Sequence, residues 1–247
     1  MPTEKTLALI IRQVDFSETS RVVTMFTRDL GKLGAMVKGA RRLRGPFAGA
    51  LDLLSICRIV LLRKHSDSLD LLTEAELVQS FARPRNSLPV LYAGFYIAEL
   101  LSELTHEYDP HPSLFDLAND SLRELESGGD VRLVLRRFEL GILRETGHMP
   151  QLERCAACGR PIEGPGQVAF SVAGGGVLCR SCAPAHRSTG ELHAGSVKIA
   201  RLLLNASNRH WQRLNLQEEA EREIRVMTGA AIRYLVARNL RTTRFLR

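Results

Sequence analysis

An α+β multidomain fold is predicted by three changes of texture along the 247 residues. Short apolar runs rich in β-branched residues alternate with turn signals as far as Val78, helical runs begin at Leu88, and a glycine-rich stretch with four cysteines interrupts the helices between residues 151 and 187. The expected division is 1–82 for a strand-built barrel, 83–150 with 188–247 for a mostly helical domain, and 151–187 for a metal-binding insert.

Strands are expected at Leu7–Val14, Arg21–Thr27, Leu33–Lys38, Ile56–Leu62 and Leu69–Val78. The turn signals Asp15-Phe16-Ser17-Glu18, Arg28-Asp29-Leu30-Gly31 and His65-Ser66-Asp67-Ser68 lie between them. Five short strands in roughly 80 residues suit a small closed barrel, of which the five-stranded OB-fold is the most economical. An SH3-like barrel or a short sandwich would give nearly the same pattern. Cys57, within an apolar strand, reads as a buried thiol.

Pro84 and Pro89 mark the change to helix. Leu88–Leu104 is apolar on nearly all sides, so it is expected to be buried, with Tyr92, Phe95 and Tyr96 in the core rather than stacked on bases. Ser113 reads as the N-cap of a helix to Glu126. Ser127-Gly128-Gly129-Asp130 separates this from a third helix, Val131–Glu145, which Gly147 and Pro150 stop. Helices at Ser196–Ala206 and Gln217–Asn239 are expected to fold back onto these.

Charge narrows the function classes. The chain carries 34 Lys and Arg against 27 Asp and Glu, a net charge of +7, which favours an acidic partner such as nucleic acid or a membrane surface. Residues 30–51 contain no acid, yet hold Lys32, Lys38, Arg41, Arg42 and Arg44. That charge must be matched by solvent, by acids elsewhere or by a polyanion, and the glycines suggest a turn where backbone approaches a ligand. A second acid-free run follows Ile224, with Arg225, Arg233, Arg238, Arg241, Arg244 and Arg247. The N-terminal apolar run is too short for a signal peptide or membrane span, so a cytoplasmic protein is expected. No GxxxxGK[ST] loop and no nuclease-like carboxylate cluster is present, which argues against an enzyme.

Cys155-Ala-Ala-Cys158 and Cys179-Arg-Ser-Cys182 are two CxxC turns separated by 20 residues. Each turn points two thiolates at one ion, and together they supply the four-sulfur shell of a structural zinc site. Four protein thiolates leave no open position for a catalytic water. Gly159 suits the turn after the second ligand, and Gly174-Gly175-Gly176 a hairpin between the knuckles. A redox pair is the competing reading, but it expects a strand-to-helix junction not seen here. His186 is a weaker candidate ligand. Arg154, Arg160, Arg180 and Arg187 surround the site.

Phe26-Thr27, Gly31-Lys32, the run Val37-Lys38-Gly39-Ala40-Arg41-Arg42, and the four-cysteine insert with its glycines before Cys179 together resemble the bacterial DNA repair and recombination mediator family RecO. The resemblance covers essentially the whole chain in order. It departs at Gly45-Pro46-Phe47 and Leu51-Asp52-Leu53-Leu54, where the family tends to a serine-containing linker and a Leu-Gln-Pro-Phe-like start. It implies an N-terminal OB-fold, a helical domain and a zinc finger. It further implies binding of single- and double-stranded DNA, strand annealing, and work with the RecR ring and the single-stranded-DNA-binding protein to load RecA, in the bacterial cytoplasm at the nucleoid. Phosphate contact is then expected from Lys38, Arg41, Arg42 and Arg44, and secondarily from Lys32 and Arg12. Phe47 is a candidate stacking residue, although core packing suits it better. Arg238, Arg241 and Arg244 would share one face if the last helix continued, and would extend the DNA path or receive an acidic tail. The alternative is a protein-interaction scaffold whose basic patches bind acidic partner tails.

Overall fold

The computed structural model describes residues 3–42, 47, 49–64, 69–81, 87–162, 164–186, 190–205 and 209–246. Strands β1 (Thr3–Asp15), β2 (Arg21–Thr27), β3 (Gly31–Val37), β4 (Ile56–Leu62) and β5 (Asp70–Gln79) close a barrel in the order β1-β2-β3-β5-β4. The long β1 serves two neighbours: Thr3–Leu9 pair with β4 and Ala8–Asp15 with β2, with an irregularity between Ile10 and Arg12. A bulge there increases local twist and helps one strand turn the corner of a barrel. Closure comes from the parallel contact of Ala35 and Met36 in β3 with Asp70 and Leu71 in β5. This order selects the OB-fold over the SH3-like barrel and the sandwich.

Strict alternation makes the barrel interior. Gly31, Leu33, Ala35 and Val37 point in while Lys32, Gly34 and Met36 are half-exposed. They meet Ala8, Ile10, Val23, Met25, Ile59, Leu61 and Leu72. Phe47 joins this core at 5% exposure, which removes it as a base-stacking group. Cys57 is fully buried, its Sγ donating to the Ala50 carbonyl at 2.6 Å, and burial pushes its pKa up to about 12. It is an inert core thiol.

The chain separates into two compact units, Met1–Gly128 with Thr242–Arg247, and Gly129–Arg241. This division falls after the second helix rather than near Pro84, because the first two helices lie on the barrel. Helix α1 (Leu88–Leu104) rests against β1, and α2 (Pro112–Ser127) against β2, where Phe26 and Phe115 stack at 6.4 Å. Arg28, in the β2–β3 turn, makes two bonds of 3.1 Å to the Asp116 carboxylate. The N-cap of α2 lies two residues before the expected Ser113: it is His111, without a side-chain cap bond, and a proline occupies the first turn. Proline suits that position because its missing N–H would have no helical partner there. Tyr96 is buried, as expected, whereas Tyr92 and Phe95 are half-exposed rather than core, with Tyr92 stacked on the exposed Phe245 ring at 4.5 Å.

Gly31 shows what its freedom is for. Its φ is +74°, and a Cβ would lie 2.4 Å from the Asp109 carbonyl oxygen. The close approach at this glycine is therefore made by the chain's own backbone after α1, not by a ligand, which corrects the sequence expectation for this turn.

In the second unit, α3 (Val131–Glu145), α4 (Ala194–Asn205) and α5 (Glu218–Val236) pack together. Asp130 caps α3 by accepting from the Arg132 N–H at 2.8 Å. Strands β6 (Gln167–Ser171), β7 (Gly176–Leu178) and β8 (Gly190–His193) form a sheet in the order β7-β6-β8. The expected insert is thus sewn to the helices, because β8 leads directly into α4 and the His193 N–H donates to Glu223 of α5 at 2.8 Å. Buried Arg136 pairs with Glu139 at 3.0 Å and approaches Glu221 at 3.8 Å, while the Thr228 hydroxyl donates to Glu139 at 2.5 Å. These contacts fix the register of α3 against α5.

Candidate nucleic-acid interface and metal centre

The β1–β2 turn is closed by its own backbone: the Phe16 and Ser17 N–H groups donate to the Ser20 carbonyl at 3.1 and 3.3 Å, and the Ser20 N–H returns to the Ser17 hydroxyl at 3.2 Å. Arg41 clamps the basic loop onto this turn. Its backbone N–H reaches the Thr19 carbonyl at 3.2 Å, its Nη1 the Ser17 carbonyl at 2.8 Å, and its Nε lies 3.6 Å from Asp15. Arg21 holds the other Asp15 oxygen at 2.7 Å. The bond from Arg21, with added attraction from Arg41, keeps the Asp15 carboxyl below its ordinary pKa.

Gly39, at φ +78°, turns the loop, and its carbonyl receives the Arg42 N–H at 3.1 Å. Lys38 and Arg42 therefore flank a tight turn whose next cation is fixed. Both are exposed, and neither forms an ion pair among the described residues. Arg12 is exposed on β1, opposite Thr24 of β2. Strands 2 and 3 and the β1–β2 loop are the surfaces on which OB-folds bind oligonucleotides and oligosaccharides. The structure thus brings Lys38, Arg41 and Arg42 to the rim of the barrel beside that loop, with Arg12 on the β1–β2 hairpin. Arg44 lies outside the described residues.

Lys32 is corrected. Its Nζ donates to the Ser102 and Thr105 carbonyls at 2.6 and 2.5 Å, closing the C-terminal end of α1, and burial pushes its pKa down against the opposing pull of Glu107 and Glu103. A cation so engaged is not available to phosphate. For Arg238, Arg241 and Arg244 the structure removes the shared helical face. Helix α5 ends at Val236 and Ala237 turns left-handed at φ 56°, so the three do not share a helical face; Arg244 lies over the Phe245 ring at 4.6 Å.

Asp15 and Phe16 are the residues of this rim that sequence reading did not single out as functional. The signal was present, since an aromatic occupied a turn position that Gly, Asn, Asp or Ser usually fills. Phe16 is 67% exposed.

In the second unit, the sulfur atoms of Cys155, Cys158, Cys179 and Cys182 all lie within 4.8 Å of one another. The Cys158–Cys179 separation is 3.8 Å, and a tetrahedral shell with Zn–S of about 2.3 Å has edges of about 3.8 Å. The donor set therefore fits a four-coordinate thiophilic cation. Local geometry presents it: the Gly159 N–H donates to the Cys155 carbonyl at 2.8 Å with Gly159 at φ +73°, and the Cys182 N–H donates to the Cys179 carbonyl at 3.0 Å. Residues 172–175 link β6 to β7 as the expected hairpin. Gly176 lets the backbone of Gln151 approach, where a Cβ would lie 2.3 Å from its carbonyl oxygen. This fixes the first knuckle against β7. The Ser181 hydroxyl and the Cys182 N–H draw the Cys179 thiol down to about 6. Arg154, Arg160 and Arg180 are exposed around the cluster, and Arg187 lies outside the described residues. His186 is not part of the four-sulfur group.

Family sequence models described as "Recombination protein O N terminal" and "Recombination protein O C terminal" match residues 1–81 and 85–244. The chain is 35% identical over 246 residues to a protein of Anaeromyxobacter dehalogenans named DNA repair protein RecO, covering 100% of this chain and 96% of that one. A protein of the same name from Rhodopirellula baltica is 48% identical over 179 residues, 72% of this chain and 66% of its own length. One from Dehalococcoides mccartyi is 29% identical over 94% of this chain and 90% of its own. No helix among the described residues is long and apolar enough to cross a membrane.

Proposed function

This chain belongs to the RecO family, and from that premise we propose that it is a DNA-binding mediator of repair and recombination that anneals complementary strands. The observation that carries the reading is the barrel rim, where Arg41 fixes a loop whose neighbours Lys38 and Arg42 are exposed without an acidic partner among the described residues. Two strands repel through their phosphates. A surface that neutralises them while leaving bases accessible lowers the barrier to their encounter, and needs no catalytic group. We assign phosphate contact to Lys38, Arg42 and Arg12, with Arg41 both positioning the loop and adding charge. Arg44 belongs to the same basic run. Single- and double-stranded DNA share the phosphate contacts.

The four cysteines would hold one structural Zn2+, with Cys155, Cys158, Cys179 and Cys182 as ligands. The ion supplies a local core to a glycine-rich segment with few apolar residues. The barrel within residues 1–82 would be the DNA-binding element and residues 151–187 the zinc finger, each within its own compact unit. The partners that go with this role are RecR, the single-stranded-DNA-binding protein and RecA, in the cytoplasm at the nucleoid. In the second unit, the outer stripe of α5 presents Val226 and Arg233 beside Tyr234, with Arg222 paired to Glu219 at 3.7 Å. Cations interleaved with exposed apolar groups suit the acidic tail of the single-stranded-DNA-binding protein.

Energy transfer between labelled complementary oligonucleotides tests the reading. The protein should accelerate their annealing, and the acceleration should fall steeply as salt rises. No acceleration, together with displacement of bound oligonucleotide by an acidic tail peptide, would favour the scaffold reading instead.

A further inference from the structure

Phe16 is the most exposed large apolar side chain among the described residues, at 67%. It is no part of the barrel core. The barrel interior is filled by Ile10, Met25, Leu33 and their neighbours, and the turn is closed by backbone and Ser17 bonds that any residue but proline at position 16 would allow. Because those bonds hold the turn, the ring is presented to water by an ordered loop. The same turn is the one that Arg41 grips through the Ser17 and Thr19 carbonyls. Asp15 is already matched by Arg21 and Arg41, which leaves Glu18 as the remaining acid of the turn against Lys38, Arg42 and Arg12 nearby in the fold. An ordered aromatic face beside surplus positive charge is the combination that holds a single nucleic-acid strand: cations track the phosphates and the ring accepts a base.

Resting on the DNA-binding reading above, we propose that Phe16 stacks on an unpaired base and makes the barrel rim prefer single-stranded over duplex DNA. In a duplex the base faces are occupied by their neighbours, so a ring gains a stacking partner only after a step is unstacked. The cations serve both forms, while Phe16 serves one. An apolar pocket on a protein would also accept the ring, but the surrounding positive charge selects a polyanion.

Three probes test this on the full-length protein: an oligothymidylate, an abasic deoxyribose-phosphate strand of equal length, and a duplex. Phe16→Ala should weaken oligothymidylate binding about five- to a hundred-fold, the range for losing one stacked base, and leave the abasic strand and the duplex unchanged. Phe16→Leu, which keeps apolar bulk without a π face, should behave as Ala does. Phe16→Trp should restore binding, and its added fluorescence over that of Trp211 should be quenched by oligothymidylate. Equal losses on all three probes, or none on any, would overturn the proposal. The variant Lys38→Glu/Arg42→Glu separates the levels. If it weakens all three probes while Phe16→Ala weakens none, only the stacking assignment fails. If it too leaves all three unchanged, the DNA-binding reading fails with it.

Discussion

Reversing Lys38 and Arg42 together, Lys38→Glu/Arg42→Glu, is expected to weaken single-strand binding at least about 25-fold at 0.1 M salt, and to flatten the dependence of log K on log salt by about 1.4. Each phosphate contact on a single strand contributes about 0.7 to that slope, hence about fivefold per contact between 0.1 M and 1 M salt. Both side chains are exposed and outside any ion pair among the described residues, so the loss reports DNA contact rather than unfolding. Fluorescence anisotropy across a salt series measures both quantities, and a melt of the same variant should match the wild type. Lys32→Met is the informative contrast. Its ammonium ties the end of α1 to β3 through the Ser102 and Thr105 carbonyls, so its removal should lower the melting temperature and leave the salt slope in place.

Removing the metal should have the largest structural effect. A structural four-cysteine zinc site contributes on the order of 10 kcal/mol or more to the fold that depends on it, and Cys155 is the buried ligand of the set. With Cys155→Ser, or after chelation, zinc content should fall from one equivalent towards zero. Hydrogen exchange should accelerate over residues 151–186 and extend into β8, which pairs with β6. The same site should release metal on acidification. Zinc requires thiolates, and lower pH returns protons to them. Stoichiometry near zero in protein purified without chelator would contradict the assignment.

What the sequence displayed and what it concealed divide along physical lines. The strands were visible because one face of each is buried, as in the strict alternation of β3. The bounds of α1 and α3 followed from local chemistry, Pro89 in the first turn of one and Asp130 capping the other. The four-cysteine cluster was legible because its thiols lie in two local turns, so the spacing alone carries the geometry. Lys32 was misassigned because its partners are 70 and 73 residues away, and a cation in a basic run looks the same locally whether it meets phosphate or a helix end. The end of α5 before the terminal arginines was not legible because the helix stops at a left-handed alanine, where glycine is the usual signal. Strand β8 has only four residues and abuts a helix, too little for a period to register. Phe16 was read only as part of a turn, since exposure is a property of the closed barrel and not of the segment.

Photocrosslinking of a single-stranded oligonucleotide with peptide mapping tests the barrel rim most directly. Crosslinks should fall on the peptides carrying Phe16 and Lys38–Arg42, and should disappear from both when Lys38 and Arg42 are reversed. Crosslinks confined to residues 151–186 or to α5, with the rim unlabelled, would contradict the rim as the DNA surface.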